Sequence, residues 1–207
     1  MATLDVLTLA EGKAAVKQTA TTASDDEIKR WITAVSLRLD ELVGPVVRRA
    51  VTDELDGGDC SVFLTKYPVA SITSVKEYDR DGTETVLTAE TNPVKPADGY
   101  RTRKYSGDPT LLGNELLRRD TGYAAEFAAG EGNVVVEYTA GRFATTADVD
   151  ERFKAAAKLM MKNVWRSEMT ATQNVDEYDV PQSNFPTYVI SKAVKDLFPG
   201  ELQGHYL

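Results

Sequence analysis

The chain of 207 residues has one cysteine, Cys60, and one histidine, His205, near its C-terminal end. A single cysteine excludes an intramolecular disulfide and any cysteine-rich zinc site. A single histidine removes most histidine-dependent catalysis and most metal sites. No apolar run approaches the roughly 20 residues that span a bilayer, so no transmembrane helix and no membrane partner are expected. Met1-Ala2-Thr3-Leu4-Asp5 places no basic region before an apolar stretch, so no signal peptide is expected. Bases are also scarce. Lys and Arg total 24 against 32 Asp and Glu, a net charge of −8. An acidic chain is poorly suited to gripping duplex DNA, where cations must displace counterions.

What is present suffices for a folded core: 42% of the residues are hydrophobic and 27% charged. The pattern has three zones. Residues 1–45 read as helical, 46–147 as β-rich and 148–207 as helical again. The acidity is concentrated in residues 51–147, with 16 acids and 10 bases.

Thr8 and Glu11 have capping-box spacing, as do Ser24 with Glu27 and Asp148 with Glu151. Each predicts a helix start. After Ser24, the residues Ile28, Trp31, Ile32, Val35, Leu39 and Leu42 recur on one helical face, and Gly44-Pro45 stops the helix. Phe153, Ala156, Ala157, Met160, Met161, Val164 and Trp165 form the apolar stripe of a third long helix. Pro186 suits the first turn of a short last helix carrying Val189, Ile190, Val194 and Leu197.

The middle zone changes period. Strands are predicted at residues 61–65, 72–78, 83–87, 101–105, 115–119 and 133–138, with Asp79-Arg80-Asp81-Gly82 as a turn. Short strands at this spacing suggest a small antiparallel sandwich or barrel. The expected fold class is therefore α+β: a helical bundle, formed by residues 1–45 and 148–207 as one domain, with an inserted small antiparallel β domain.

No constellation for chemistry stands out. Asp79–Glu84 lacks the ligand register of a calcium loop and reads as a hairpin turn. Gly57-Gly58 and Gly130-Glu131-Gly132 precede no helix and read as turns rather than phosphate cradles. Cys60 has no evident base. Asp148, Asp150 and Glu151 could be a hydrolase's carboxylates, but a helix start explains them electrostatically. Arg48-Arg49 and Arg118-Arg119 read as alternating exposed strand positions. No enzyme activity, catalytic residue, metal or cofactor is therefore assigned. A binding module for a receptor or carbohydrate is the alternative, with Tyr78, Tyr100, Tyr105 and Tyr123 as its aromatics.

The C-terminal stretch carries large apolar groups where a chain end should be loosely held. Tyr188, Phe198, Leu202, His205, Tyr206 and Leu207 form a candidate partner interface, unless this stretch packs on its own domain.

Four segments, in order, carry a resemblance. They are Leu7-Thr8-Leu9-Ala10-Glu11-Gly12-Lys13, the helix Asp25–Leu42, Leu64–Val75 with its Tyr67-Pro68-Val69, and Val134–Gly141 with its Val-x-Val-x-Tyr-x-x-Gly pattern. Together they resemble the phage head–tail connector family, the head-completion adaptors beneath the portal ring of tailed phages. The resemblance spans residues 4–170. It implies a non-enzymatic virion protein of the phage neck that passes through the host cytoplasm during assembly. It also implies a ring, commonly a dodecamer, in which helices of neighbouring subunits pack together. The implied partners are the portal protein, the next neck or tail-completion protein, and double-stranded DNA passing through the lumen without specific binding.

Overall fold

The computed structural model describes residues 4–18, 22–172 and 190–199. The chain divides into two compact units. One comprises residues 1–47 and 143–207, the other residues 48–142.

The first unit is helical. Helix α1 spans Leu9–Ala15 and is capped by the box the sequence predicts. The Thr8 hydroxyl accepts from the Glu11 amide, and the Glu11 carboxylate accepts from the Thr8 amide. Helix α2 spans Asp25–Val43 and buries Ile28, Trp31, Ile32, Val35, Ser36, Leu39, Leu42 and Val43. The expected Ser24 box is not formed, because Ser24 has φ −105° and ψ 11° rather than extended backbone and makes no side-chain cap. The Asp148 box is also shifted. Asp148 closes a short 3-10 turn, Thr146–Asp148, by accepting from the Thr145 amide and hydroxyl. Helix α3 then runs Glu151–Thr172, and Asp150 covers its first turn by accepting from the Arg152 amide at 2.8 Å. Helix α4 is a single turn, Lys192–Lys195. Pro186 and Val189, expected in that helix, lie outside the described residues.

The core of this unit joins the inner face of α2 to Phe153, Ala156, Ala157, Met160, Met161 and Val164 of α3, with Val194 and Phe198 from the C-terminal segment. Trp31 and Trp165 meet edge to face at 5.6 Å between ring centroids. Two polar groups are buried with their bonds made. The Ser36 hydroxyl accepts from the Val6 amide at 2.9 Å and donates to the Ile32 carbonyl at 2.7 Å. Lys154 on α3 reaches Glu11 on α1 at 3.1 Å.

The second unit is a sheet. Its strands are β1 Arg49–Leu55, β2 Ser61–Phe63, β3 Val69–Tyr78, β4 Glu84–Val86, β5 Thr88–Ala89, β6 Gly99–Lys104, β7 Leu112–Asp120, β8 Tyr123–Ala124 and β9 Val134–Ala140. The main order is β1-β9-β3-β7-β6-β5, with β4 beside β3 and both β2 and β8 beside β7. The expectation of a helical bundle with a small inserted antiparallel β domain is met in its mixed α and β content and not in the size or form of the β part. Among the described residues nine strands form one open, mostly antiparallel sheet, and β5 runs parallel to β6. The small sandwich or barrel is thus corrected to a large sheet. It is larger because β1, β5 and β8 join strands that the sequence pattern shows.

The sheet has a narrow seam. β3 and β9 share a long ladder, as do β6 and β7, but β3 meets β7 through one register pair, Val69 with Leu112. Buried side chains from both sides of the seam make one core, including Val75, Val134, Val136 and Tyr138 on one side and Leu116 and Val62 on the other. Turn chemistry is as the sequence predicts. The Asp79 carboxylate accepts from the Asp81 and Thr83 amides, and Gly82 takes φ +78°.

Gly57 is fixed by a close approach. A Cβ there would lie 1.9 Å from the Ala128 carbonyl oxygen, and the Gly57 amide donates to the Gly130 carbonyl. Gly57→Ala must therefore push backbone apart. Gly82→Ala, with no atom within 4 Å of its new Cβ, costs only the left-handed backbone penalty of about 1–2 kcal/mol. Urea unfolding of the two variants should show the larger midpoint loss for Gly57→Ala. Equal losses would show that the 57–58 turn yields easily.

Candidate partner-binding surface

The polar groups fall into structural clusters first. Arg118 of β7 is buried, and its guanidinium donates to Glu77 of β3 at 2.9 and 3.2 Å and to Asp98 at 2.9 Å. It also donates to the carbonyls of Ala97 and Gly99. The second Glu77 oxygen accepts from the Ala128 amide at 3.1 Å. Burial pulls the Arg118 pKa down, but the bonds to Glu77 and Asp98 outweigh it and hold the group above its ordinary value. Arg119 faces the other side, pairs with Glu90 at 2.9 Å and donates to the Gly122 carbonyl. The reading of Arg118-Arg119 as two exposed positions is corrected for Arg118, which is a core residue.

A second cluster centres on Asp53 and Tyr138, both buried. The Tyr138 hydroxyl donates to Asp53 at 2.8 Å, and the Thr65 amide and hydroxyl each donate to Asp53 at 2.7 Å. The Lys66 amide donates to the Tyr138 oxygen at 3.0 Å. Burial is the main cause that pushes the Tyr138 hydroxyl up to about 12, helped by the adjacent Asp53 carboxylate.

In the helical unit, burial pushes the Glu11 carboxyl up. Bonds from the Thr8 amide, Lys154 and the Thr8 hydroxyl outweigh it and hold the group below its ordinary value.

The candidate chemistry is dispersed. Asp148 and Asp150 serve as caps, while Glu151 faces Lys158 at 3.6 Å. Cys60 is exposed. No group of three or more potential metal ligands occurs among the described residues. A polar recess of about 260 Å³ is lined by Glu90, Thr91, Asn92, Lys95 and Arg101, but Glu90 is already committed to Arg119. The four tyrosines of the binding-module reading do not form a platform. Tyr123 is 76% exposed, whereas Tyr78 is half-buried and donates to Glu84 at 2.7 Å. Tyr100 and Tyr105 are half-buried as well.

Of the predicted interface residues, Phe198 is placed by the structure and the others are not. Its side chain is fully buried, 4.9 Å from Phe153 between ring centroids, with the Arg152 guanidinium over its ring at 5.3 Å. Phe198 is thus a core residue of its own unit, the alternative the sequence leaves open for this stretch. Tyr188, Leu202, His205, Tyr206 and Leu207 lie outside the described residues.

The surfaces with definite geometry are the two ends of the sheet. Strand β1 is an edge, paired only with β9 among the described residues. Ala50, Thr52 and Glu54 are its exposed residues, and exposed Asp56 follows. At the other end, β5 covers only Gly99 and Tyr100 of β6. Arg101, Arg103 and Lys104 beyond it are exposed. The sequence pattern does not reveal these edges, because β1 was not among the predicted strands and an edge is defined by its neighbours.

No protein-family model matches the chain, and no curated protein matches it. Among solved structures, two that share its fold are chains of gene transfer agent particles. A chain in the neck of an empty gene transfer agent (GTA) particle, computed with C6 symmetry, superposes with a TM-score of 0.54 at 15% identity, covering 88% of this chain and 87% of that one. A chain in the virion of a native GTA particle superposes with a TM-score of 0.52 at 16% identity, over 88% and 87% of the two chains.

The Tyr138 cluster yields a pH prediction. The neutral hydroxyl is favoured in the folded state, so its contribution is complete below the unfolded value near 10 and is lost as pH rises from 10 toward 12. Tyr78 and Tyr100 are also held above the ordinary value, by the bond to Glu84 and by burial respectively. Absorbance titration of the phenolates should therefore show Tyr138 as the last step, at about 12 and together with unfolding. That last step should vanish in Tyr138→Phe. A wild-type titration without it would contradict the buried hydroxyl–carboxylate bond.

Proposed function

We propose that the chain is a head-to-tail adaptor of a phage-like particle. In this reading it forms a ring beneath a portal, joins the capsid to the next neck or tail-completion protein, and leaves a passage for double-stranded DNA. It acts by docking and carries out no reaction. The observation that carries the reading is the fold shared over 88% of the chain with a protein of a particle neck. The ordered motifs from Leu7 to Gly141 point the same way independently of that superposition. The sixfold symmetry of that neck suits a ring of copies, with twelve as the number the family resemblance implies.

The charge distribution fits the passage of DNA. A ring of chains that each carry −8 presents a field that repels phosphates and lets the duplex slide. The tandem Arg118-Arg119 does not oppose this, because Arg118 is buried and Arg119 is paired.

Portal contact is assigned to the chain end beyond Pro199, with Leu202, His205, Tyr206 and Leu207, and to Tyr188. Phe198 anchors that end to the helical core and does not itself meet the partner.

The first test is mass in solution by light scattering, with and without a portal assembly from the same source. The expected result is co-assembly at portal-matched stoichiometry. A chain that ignores the portal would overturn the adaptor reading.

The division of labour at the chain end gives a second test. Removal of residues 201–207 should leave the thermal midpoint nearly unchanged and abolish portal binding. Phe198→Ala should instead cost about 3–5 kcal/mol of stability, as for other fully buried phenylalanines. A large midpoint drop on truncation would place those residues in the core.

A further inference from the structure

We propose that neighbouring copies join through their sheets, with the β1 edge of one copy pairing against the β6 edge of the next. The inference rests on the ring reading and adds a contact of the β unit to the helix packing that the family resemblance implies.

Four observations lead to it. Both edges leave main-chain groups beside no further strand among the described residues. β1 is seven residues long, and β6 is uncovered beyond Tyr100. Such edges template pairing with another chain. They also lie toward opposite sides of the strand order, β1 first and β6 next to last before the two-residue β5. A contact between them is therefore head to tail, the kind that forms a ring where the rotation closes.

The third observation is charge. The distal end of β1 carries Glu54, followed by Asp56, and the distal end of β6 carries Arg101, Arg103 and Lys104. Arg103 also pairs with Glu115 of its own chain at 2.9 Å while its side chain stays exposed. Edge charges alone would be read as protection against aggregation. Here the distal ends of the two edges have opposite sign. The cations of β6 repel a second β6 edge and attract the acidic end of β1, which favours the head-to-tail contact over a β6–β6 pair.

The fourth observation is direction. β1, β9, β3, β7 and β6 are successively antiparallel, so β1 and β6 run the same way. Parallel pairing sets Glu54 and Asp56 beside Arg103 and Lys104. Antiparallel pairing would bring Arg48 and Arg49 toward Lys104, like against like. Copies related by rotation about a ring axis keep their strand direction, so the charge pattern and the symmetry select the same orientation.

The test uses full-length chains and two charge-reversal variants at exposed positions, Glu54→Lys and the double variant Arg101→Glu/Arg103→Glu. Each alone places like charges across every contact, and self-association should fall at least tenfold by light scattering. Mixed in equal amounts, the two restore opposite charges at every contact of an alternating ring, and association should return.

Wild-type association with neither variant impaired would overturn the strand contact and leave the adaptor reading standing. A wild type that forms no assembly, alone or on a portal, would overturn the adaptor reading and this inference with it. A cross-linking measurement stands apart from any folding defect. In a Cys60→Ser background, chains carrying both Glu54→Cys and Arg103→Cys should give a disulfide ladder, and either cysteine alone should not. Absence of the ladder from assembled chains would refute the pairing.

Discussion

The β unit depends on one buried ion pair. Its two ladders share one register pair, Val69–Leu112, and a common apolar core. The polar link between them is Arg118, which leaves β7, crosses the seam and bonds Glu77 of β3. The same guanidinium holds the 97–99 segment, and Glu77 holds the Ala128 amide. Two charges taken out of water are costly unless every bonding group is met. Here they are met by main-chain carbonyls of residues 97 and 99 and by the Ala128 amide. The same loops are also tied by main-chain bonds, Phe127 to Asp59 and Asp98 to Thr88, so the pair adds to a closure that these bonds and the core around Phe127 share.

The helices were legible because their signals are local. The apolar stripe of α2 is complete within the helix, and each of its predicted core residues is buried. The Thr8 box formed because Thr8 has extended backbone, with φ −74° and ψ 160°. Ser24 has the same residue spacing without that backbone, and the box failed. Spacing is necessary for a cap, but the dihedral of one residue decides it.

The strand β1 was illegible for a different reason. Its inward positions include Asp53, which breaks the apolar alternation that marks a strand. Asp53 is acceptable there because Tyr138 and Thr65 meet it, and neither is nearby in sequence. For Phe198 the sequence leaves packing and partner contact both open, because the ring it packs on, Phe153, is distant in sequence. The candidate surfaces share this dependence. Glu54 and Arg103 are ordinary charged residues until the strand order places them toward opposite sides of one sheet.

Tandem arginines illustrate how the fold decides whether charge can act. On a strand, adjacent side chains point to opposite faces, so Arg118 and Arg119 never form a patch. One serves the core against Glu77, and the other is held half-buried by Glu90 and the Gly122 carbonyl. Neither charge is presented for a phosphate backbone. The cations of β6 differ in degree: Arg101, Arg103 and Lys104 are exposed along the open part of an edge strand, although Arg103 also pairs with Glu115. What an arginine can do is therefore set less by the total charge of the chain than by the face and the edge on which the fold places it.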